Sequence, residues 1–563
     1  MEKVKIFCKN TGEIHFVETG SRLKDLSRQL CPDSQILAAL VDNQLKELDF
    51  KVMMPVRIEF IDYGHPDGRR TFVRSLCFVL QNAVRTLYPD GELIIDYSLP
   101  SGLYCEIRPW GWEDAGKPKT MHIGHEDIRK IKEEMGRLIA GDIPFHKVKM
   151  RQDEALNLFE GNGQRDKVRL LKSLGRFYHS VYFLDGKADT FYGPLVPSTG
   201  CLKPFDLVEF KDGFCIQYPL EGNRSELMPL KKQAKIAATL KAHSDWCSTI
   251  GVKGVGTLNK AIQNGEAMKL IQLCEAYHER QYAAIADMIY ERKDKVKIVF
   301  IAGPSSSGKT STSKRIALQC LVLGMNPKVI ELDNYFVDRE KTPKDENGEY
   351  DFESLHAMDL ETLNSQLNDL LDGKTVEIPR FNFKEGKRYF NGDYMHLEPN
   401  DILIMEGIHA LNPEMTAAVD DSKIFRVYAS ALTSLSIDEN NNISTSDNRM
   451  LRRMIRDNRT RGINPEETIL RWHSVRRGEN RNIFPFQENA DAYFNSALLF
   501  ELPALKYYAE PLLRRITPNS PAYTEATRLL KFLGYIDALS PEEIATIPPT
   551  SIMREFIGGQ TLL

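Results

Sequence analysis

From residue 303 the chain reads Gly303-Pro304-Ser305-Ser306-Ser307-Gly308-Lys309-Thr310, which fits the pattern GxxxxGK[ST]. The residue types dictate the chemistry. Glycines let backbone N–H groups turn inward onto phosphate oxygens, and a helix N-terminus adds its positive end. Lys309 supplies a mobile positive charge, and the Thr310 hydroxyl is placed for Mg²⁺. An apolar run, Lys297–Ala302, precedes the motif and a helix-compatible run follows from Thr310, so strand, phosphate loop and helix are all predicted. The predicted nucleotide set is Gly303, Pro304, Ser305, Ser306, Ser307, Gly308, Lys309, Thr310 and Ser311.

Two carboxylates follow at strand ends. Asp333 lies in Leu332-Asp333-Asn334-Tyr335-Phe336 at the end of a second predicted strand, where ligands sit in an open α/β sheet. An acid there can face a γ-phosphate and take the proton from an acceptor hydroxyl. Glu406 ends the buried run Asp401–Glu406, the place for a metal-holding carboxylate. Arg449, Arg452, Arg453, Arg456, Arg459 and Arg461 crowd one helical segment, and a subset is expected to form a lid that stabilises a transferring phosphoryl group. His122 and His125 form only an HxxH pair and read as surface histidines.

These residues need several folded units to position them. At 563 residues the chain exceeds what one hydrophobic core supports, so it must divide. The fold class expected is multidomain α/β and α+β. Residues 1–62 form a small β-rich module of ubiquitin-like size, with a hairpin about Asn10-Thr11-Gly12. Residues 63–222 form an α+β unit with helices at Val73–Leu87 and Glu126–Ile139. Residues 223–293 read as helical and end in a stiff connector, Met268–Arg292. Residues 294–505 alternate strands and helices as a parallel sheet does, and 506–563 form a helical extension. The polar run Asp438–Asn448 reads as a flexible loop.

Composition excludes some classes. A net charge of −4 offers no overall electrostatic case for nucleic-acid binding. Nine Cys without CxxC pairs point to reduced thiols rather than a disulfide framework or zinc site. No apolar stretch is long enough for a membrane span, and a cytoplasmic address is expected.

With GPSSSGKT, LDNYF, YDFESLHAMDLETL, GKTVEIPRFNFKEGKR, MEGIHALN and RRMIRDNRTRG on the page, Ile298–Glu501 resembles the uridine kinase and phosphoribulokinase group of P-loop kinases. The resemblance implies Lys309 and Thr310 on phosphates and Mg²⁺, Asp333 as catalytic base, and Glu406 near the metal. It implies Arg453 at the nucleotide, with Arg456 and Arg461 beside the reacting groups. Asp351 looks like the acid that holds a nucleoside ribose, with Asp359 as its competitor, and Tyr335, Phe381 and Arg388 are expected at the acceptor. Arg380-Phe381-Asn382-Phe383 and Gly386 replace the Tyr and His that read the base in pyrimidine-selective relatives, which leaves the base open.

Residues 1–220 resemble the N-terminal region of threonyl-tRNA synthetases, a TGS-like module followed by an editing-type domain, through Leu87-Tyr88-Pro89 and Gly193–Gly200. The polar site groups of that family fall at Arg74, Phe78, Phe191 and Leu195 here, so neither editing chemistry nor zinc is expected. The combined reading is an ATP- and Mg²⁺-dependent kinase acting on the 5′-hydroxyl of a nucleoside, with the front half as a regulatory or assembly appendage. RNA contact through that half and a homo-oligomer are compatible with it. The rivals are a kinase of another small hydroxyl metabolite and a translation-linked binding protein that uses ATP hydrolysis as a switch.

Overall fold

The computed structural model describes residues 2–99, 102–110, 120–229, 231, 233–344, 348, 350–382 and 384–562. Phe383 therefore lies outside the described residues.

The C-terminal half is built on five strands in the order Asn326–Glu331, Asp401–Glu406, Ile298–Ala302, Ile424–Ser430, Ala492–Asn495, all parallel. Every residue of Ile298–Ala302 and Asp401–Glu406 is buried, because helices cover both faces of the sheet. The two inner strands end side by side, so Ile301 pairs with Glu406 and the loop after one strand lies beside the carboxylate of the other. The fifth strand, only four residues long, is too short for periodicity to reveal.

The N-terminal module is a mixed sheet ordered Glu13–Glu18, Lys3–Cys8, Val56–Ile61, Ala38–Val41, Gln44–Lys46, with helix Leu23–Leu30 burying Leu23 and Leu26 against it. The hairpin pairs Cys8 with Glu13, and Gly12 takes φ 71°, a left-handed conformation that glycine tolerates. In the second unit, helix Pro66–Leu87 begins seven residues before the apolar pattern that predicts it. The reason is local: Pro66 opens the helix and the His65 side chain caps it by accepting from the Asp67 N–H. A four-stranded and a three-stranded sheet complete this unit.

Two expectations are corrected by packing. Helix Ala267–Tyr290 is no free connector: it lies along helix Lys309–Val322, with Tyr282 stacked on Phe494 at 4.4 Å. Its apolar face belongs to one core that runs from Leu170 to Ile557. The polar run from Asp438 is buried at its start rather than a solvated loop. Asp438 and Asp189 both pair with Lys167, all three side chains being almost inaccessible, and the Ile95 N–H donates to the Glu439 carbonyl. A buried lysine is held charged by such partners. Helix Tyr523–Leu533 fastens three regions: Glu525 pairs with Arg70, Arg528 pairs with Asp447 at 2.7 Å, and the Thr524 hydroxyl donates to the Asn43 carbonyl. Among the described residues no helix is long and apolar enough to cross a membrane.

Candidate active site

The phosphate loop connects strand Ile298–Ala302 to helix Lys309–Val322. Gly308 sits at φ 85°, and a side chain at Gly303 would meet the Ala429 carbonyl oxygen at 1.9 Å. Both glycines are thus required by backbone geometry. The Thr310 hydroxyl donates to the Glu406 carboxylate at 2.6 Å across the two strand ends. Among the described residues Lys309 makes one long hydrogen bond, 3.5 Å to the Pro304 carbonyl.

Lys309 faces a group of acids. Burial pushes Glu406 up to about 7, against the pull of Lys309, and Asp333 adds to the rise. Asp333 is itself raised by burial, opposed by Lys309 and Arg461. Glu353 is pushed up to about 7, mainly by burial and by Glu479, with Lys309, Arg453 and Asp333 also acting on it. Carboxylates crowded this way lack countercharge, an arrangement that suits a cation and a proton-accepting role. Among the described residues no three ligating side chains converge, so Thr310 and Glu406 would hold Mg²⁺ only together with phosphate oxygens and water, as that ion commonly permits.

The arginine helix Thr445–Arg461 divides into two roles. Arg449 and Arg452 are buried structural residues: Arg449 pairs with Glu479, and Arg452 with Glu501. They brace the loop from behind by donating to the Ser305 and Ser306 carbonyls at 3.0 and 3.4 Å. Arg453, Arg456 and Arg461 instead share the buried Asp457 at 3.2, 3.3 and 3.3 Å, and Arg453 reaches the Ser305 hydroxyl at 2.9 Å. Asp457 therefore gathers the three predicted lid arginines into one cluster beside the loop.

The acceptor-side residues are placed less uniformly. Tyr335 is fully buried and donates to the Gln366 side chain at 2.8 Å, so it is a core residue rather than a substrate contact; its ring is needed between the sheet and helix Leu360–Leu371. Arg388 is engaged by Asp359 at 2.7 Å, and Asp359 also caps helix Leu360–Leu371 by accepting from the Thr362 N–H. Asp359 is thus committed to structure. Asp351 carries no such cation among the described residues and accepts the Glu353 N–H at 3.2 Å. Phe381 stands edge-on to Phe336 at 5.7 Å.

Sequence reasoning missed four acids: Glu353, Asp457, Glu479 and Glu555. Glu479 accepts from the Ser305 N–H at 3.1 Å. Glu555, on the C-terminal helix Met553–Ile557, accepts from the Ser311 hydroxyl at 2.6 Å and N–H at 3.4 Å, and lies 3.8 Å from Arg456. Ser311, expected at the nucleotide, is therefore occupied by a carboxylate. Glu353 and Asp457 lie within the motif segments already singled out, but Glu479 and Glu555 reach the loop only through tertiary folding.

In the N-terminal half, the side chains at the four substituted positions are partnered by neighbouring groups, with Phe191 and Leu195 on the wall of a cavity. Arg74 donates to the Pro194 carbonyl at 2.7 Å and lies over the Tyr192 ring. Phe78 stacks with Phe145 and contacts Phe191 at 5.2 Å, and Leu195 is buried beside them. His122 and His125 are exposed.

Comparison with known proteins agrees with this division. Residues 298–499 match the model of the Phosphoribulokinase / Uridine kinase family. The N-terminal region is similar to threonine–tRNA ligases: 28% identity over 192 residues with that of Carboxydothermus hydrogenoformans, covering 34% of this chain and 28% of that protein. The corresponding figures for Clostridium kluyveri are 27% over 214 residues, 38% and 32%. The chain spans less than a third of the length of these curated relatives. A solved structure described as a possible uridine kinase from Bacillus stearothermophilus aligns with 37% of this chain and 99% of that one, at 16% identity and a TM-score of 0.24. Residues 298–499 thus match a family of P-loop kinases, the phosphoribulokinase / uridine kinase family, on a chain whose N-terminal region is similar to that of threonine–tRNA ligases.

Proposed function

We propose that the chain transfers the γ-phosphoryl group of ATP to the 5′-hydroxyl of a nucleoside. The observation that carries this reading is the convergence of Lys309, Thr310, Asp333 and Glu406 at the ends of adjacent parallel strands, with Asp333 held above the usual carboxylate range by burial. Lys309 and the loop amides bind the phosphates, and the Thr310 hydroxyl and Glu406 are the protein's ligands for Mg²⁺. That ion, when bound, neutralises charge on the transferring group. Asp333 accepts the acceptor hydroxyl's proton as the oxygen attacks the γ-phosphorus and the bond to the β-phosphate oxygen breaks, releasing ADP; its raised proton affinity brings it closer to the working pH. Arg453, Arg456 and Arg461, gathered by Asp457, stabilise charge on the phosphoryl oxygens. Asp351, with no cation partner among the described residues, is the group that holds the ribose.

The test is phosphorylated product. The purified chain is incubated with ATP, Mg²⁺ and in turn nucleosides, pantothenate and ribulose 5-phosphate, and product is read by mass spectrometry. A phosphorylated nucleoside is expected. ATP hydrolysis with no phosphorylated acceptor would favour the switch reading instead. Asp333→Asn should keep ATP affinity and lower kcat by about 10²-fold or more; an equal collapse of nucleotide affinity would make Asp333 structural.

A further inference from the structure

A cavity of about 890 Å³, away from the phosphate loop, lies where the N-terminal module, the second unit and helix Tyr523–Leu533 meet. Its wall carries six Lys and Arg side chains, Arg22, Lys24, Lys46, Lys147, Arg176 and Lys531, against only two acids, Glu47 and Asp49. Those acids are already spoken for. Asp49 pairs with Arg22 at 3.1 Å, while Glu47 takes Lys147 at 3.0 Å and the Tyr182 hydroxyl. The remaining cations are held by rings and carbonyls instead: Lys46 lies over Phe50, and Arg176 lies over Tyr535 while donating to the Gly534 carbonyl. Lys24 and Lys531 have no carboxylate within ion-pair distance among the described residues. Lys531 is pushed below the usual lysine range by burial and then by Lys147, Lys46 and Arg74.

Such an excess of like charge around a concave space raises the energy of the empty protein through self-repulsion, and it is relieved by an anion. Cations held by rings and neutral oxygens keep their net charge for that anion, whereas carboxylate partners would neutralise them. The volume falls in the range of small-molecule sites. The charge excess calls for several negative charges on one molecule.

We propose that this cavity binds a polyphosphate group, borne by a small molecule such as a nucleoside triphosphate, at a site separate from the phosphate loop. Lys24, Arg176 and Lys531, contributed by three different regions of the chain, form its charged wall, so the ligand joins those regions.

The experiment is calorimetric titration of the full chain with inorganic tripolyphosphate and, separately, with ATP. Two sites per chain are expected. Lys309→Ala should remove the loop site and leave the cavity site. Lys531→Glu should leave the loop site and weaken the cavity site about tenfold or more, as should Lys24→Glu in the N-terminal module, and affinity at the cavity should fall as salt rises. Retention of two unchanged sites in both charge reversals would overturn the proposal, as would a single wild-type site that Lys309→Ala abolishes. Failure of the kinase reading shows elsewhere, as absence of phosphorylated acceptor with both sites intact. Tripolyphosphate and ATP binding alike place recognition on the phosphates; binding of ATP alone adds the nucleoside to the recognised group, and binding of neither at the cavity refutes the assignment.

Discussion

The phosphate-loop site and the threonine–tRNA-ligase-like unit meet the same problem in opposite ways. At the loop, Lys309, Asp333, Glu353 and Glu406 are left with fewer partners than their charges require, and the carboxylates are raised in consequence. At Arg74, Phe78, Phe191 and Leu195 every demand is met within the protein: the guanidinium has a carbonyl and a ring, and the aromatic side chains have one another. An unsatisfied site stores readiness to bind, at a cost in stability. A satisfied one contributes stability and gives up chemistry. Likeness of fold alone assigns no activity to the front half.

If that contrast holds, substitutions at the loop should damage turnover and spare the fold, and substitutions in the aromatic cluster should do the reverse. The largest effect is expected at Lys309. Lys309→Ala should lower kcat by about 10²-fold or more, since it removes a charge aimed at the phosphoryl group, with an unchanged denaturation midpoint. Near-normal turnover would break the site assignment. Phe78→Ala should cost about 3–5 kcal/mol of stability, because a 1% exposed ring leaves a cavity between Phe145 and Phe191. Turnover per folded molecule should not change. Urea denaturation followed by circular dichroism, with product assays on the same samples, separates the two, and lost turnover without lost stability would place chemistry in the front half.

A smaller effect is expected in the pH dependence of stability. Glu353 stands at about 7 in the folded chain against an ordinary value of 4.5, raised mainly by burial and Glu479. The native state therefore binds this proton more tightly than the unfolded state does. Its contribution is fully present below the unfolded value and is lost as pH rises through about 7, the reverse of a salt-bridged carboxylate. In the nucleotide-free chain, the Tm of wild type relative to Glu353→Gln should fall between about pH 5 and about pH 8. A flat difference would mean that Glu353 is solvated or paired.

What could be read in advance follows from how far apart the cooperating residues lie in the chain. The phosphate loop is one continuous stretch bounded by an apolar strand and a helix, so its residues, its class of ligand and the inner strands of the sheet were all legible. Asp333 and Glu406 were legible because strand ends are where a parallel sheet binds. Tyr335 misled because it neighbours Asp333 in sequence, yet the short 3₁₀ turn Leu332–Tyr335 sends it into the core. The run Asp438–Asn448 looked solvated because its partner, Lys167, is some 270 residues away. Glu479 and Glu555 show the same limit: no local pattern marks a carboxylate that touches the loop from 174 or 244 residues downstream.

The smallest predicted effect sharpens the comparison most, because it concerns a loop group that is satisfied when it should be free. Glu555 places its carboxylate on the Ser311 hydroxyl and N–H, in the first turn of the helix that follows the loop, while Gln560 donates to the same hydroxyl at 2.8 Å. The backbone of the C-terminal segment is anchored by Arg459, which donates to the Glu555 and Phe556 carbonyls, and by the buried side chains of Met553 and Phe556. The segment itself is therefore fixed, and only the Glu555 side chain can swing. An anion at a helix N-terminus occupies the place a phosphate would take, and it repels an approaching one. Glu555→Gln keeps the shape and one acceptor oxygen but removes the charge, so it should tighten ATP binding about threefold to tenfold, the size of one helix-end charge contact, with little change in kcat. Fluorescence titration with a labelled nucleotide measures it. Weaker binding in the variant would show that Glu555 supports the loop rather than competing with its ligand, and the loop would then be as fully partnered as the aromatic cluster it is contrasted with.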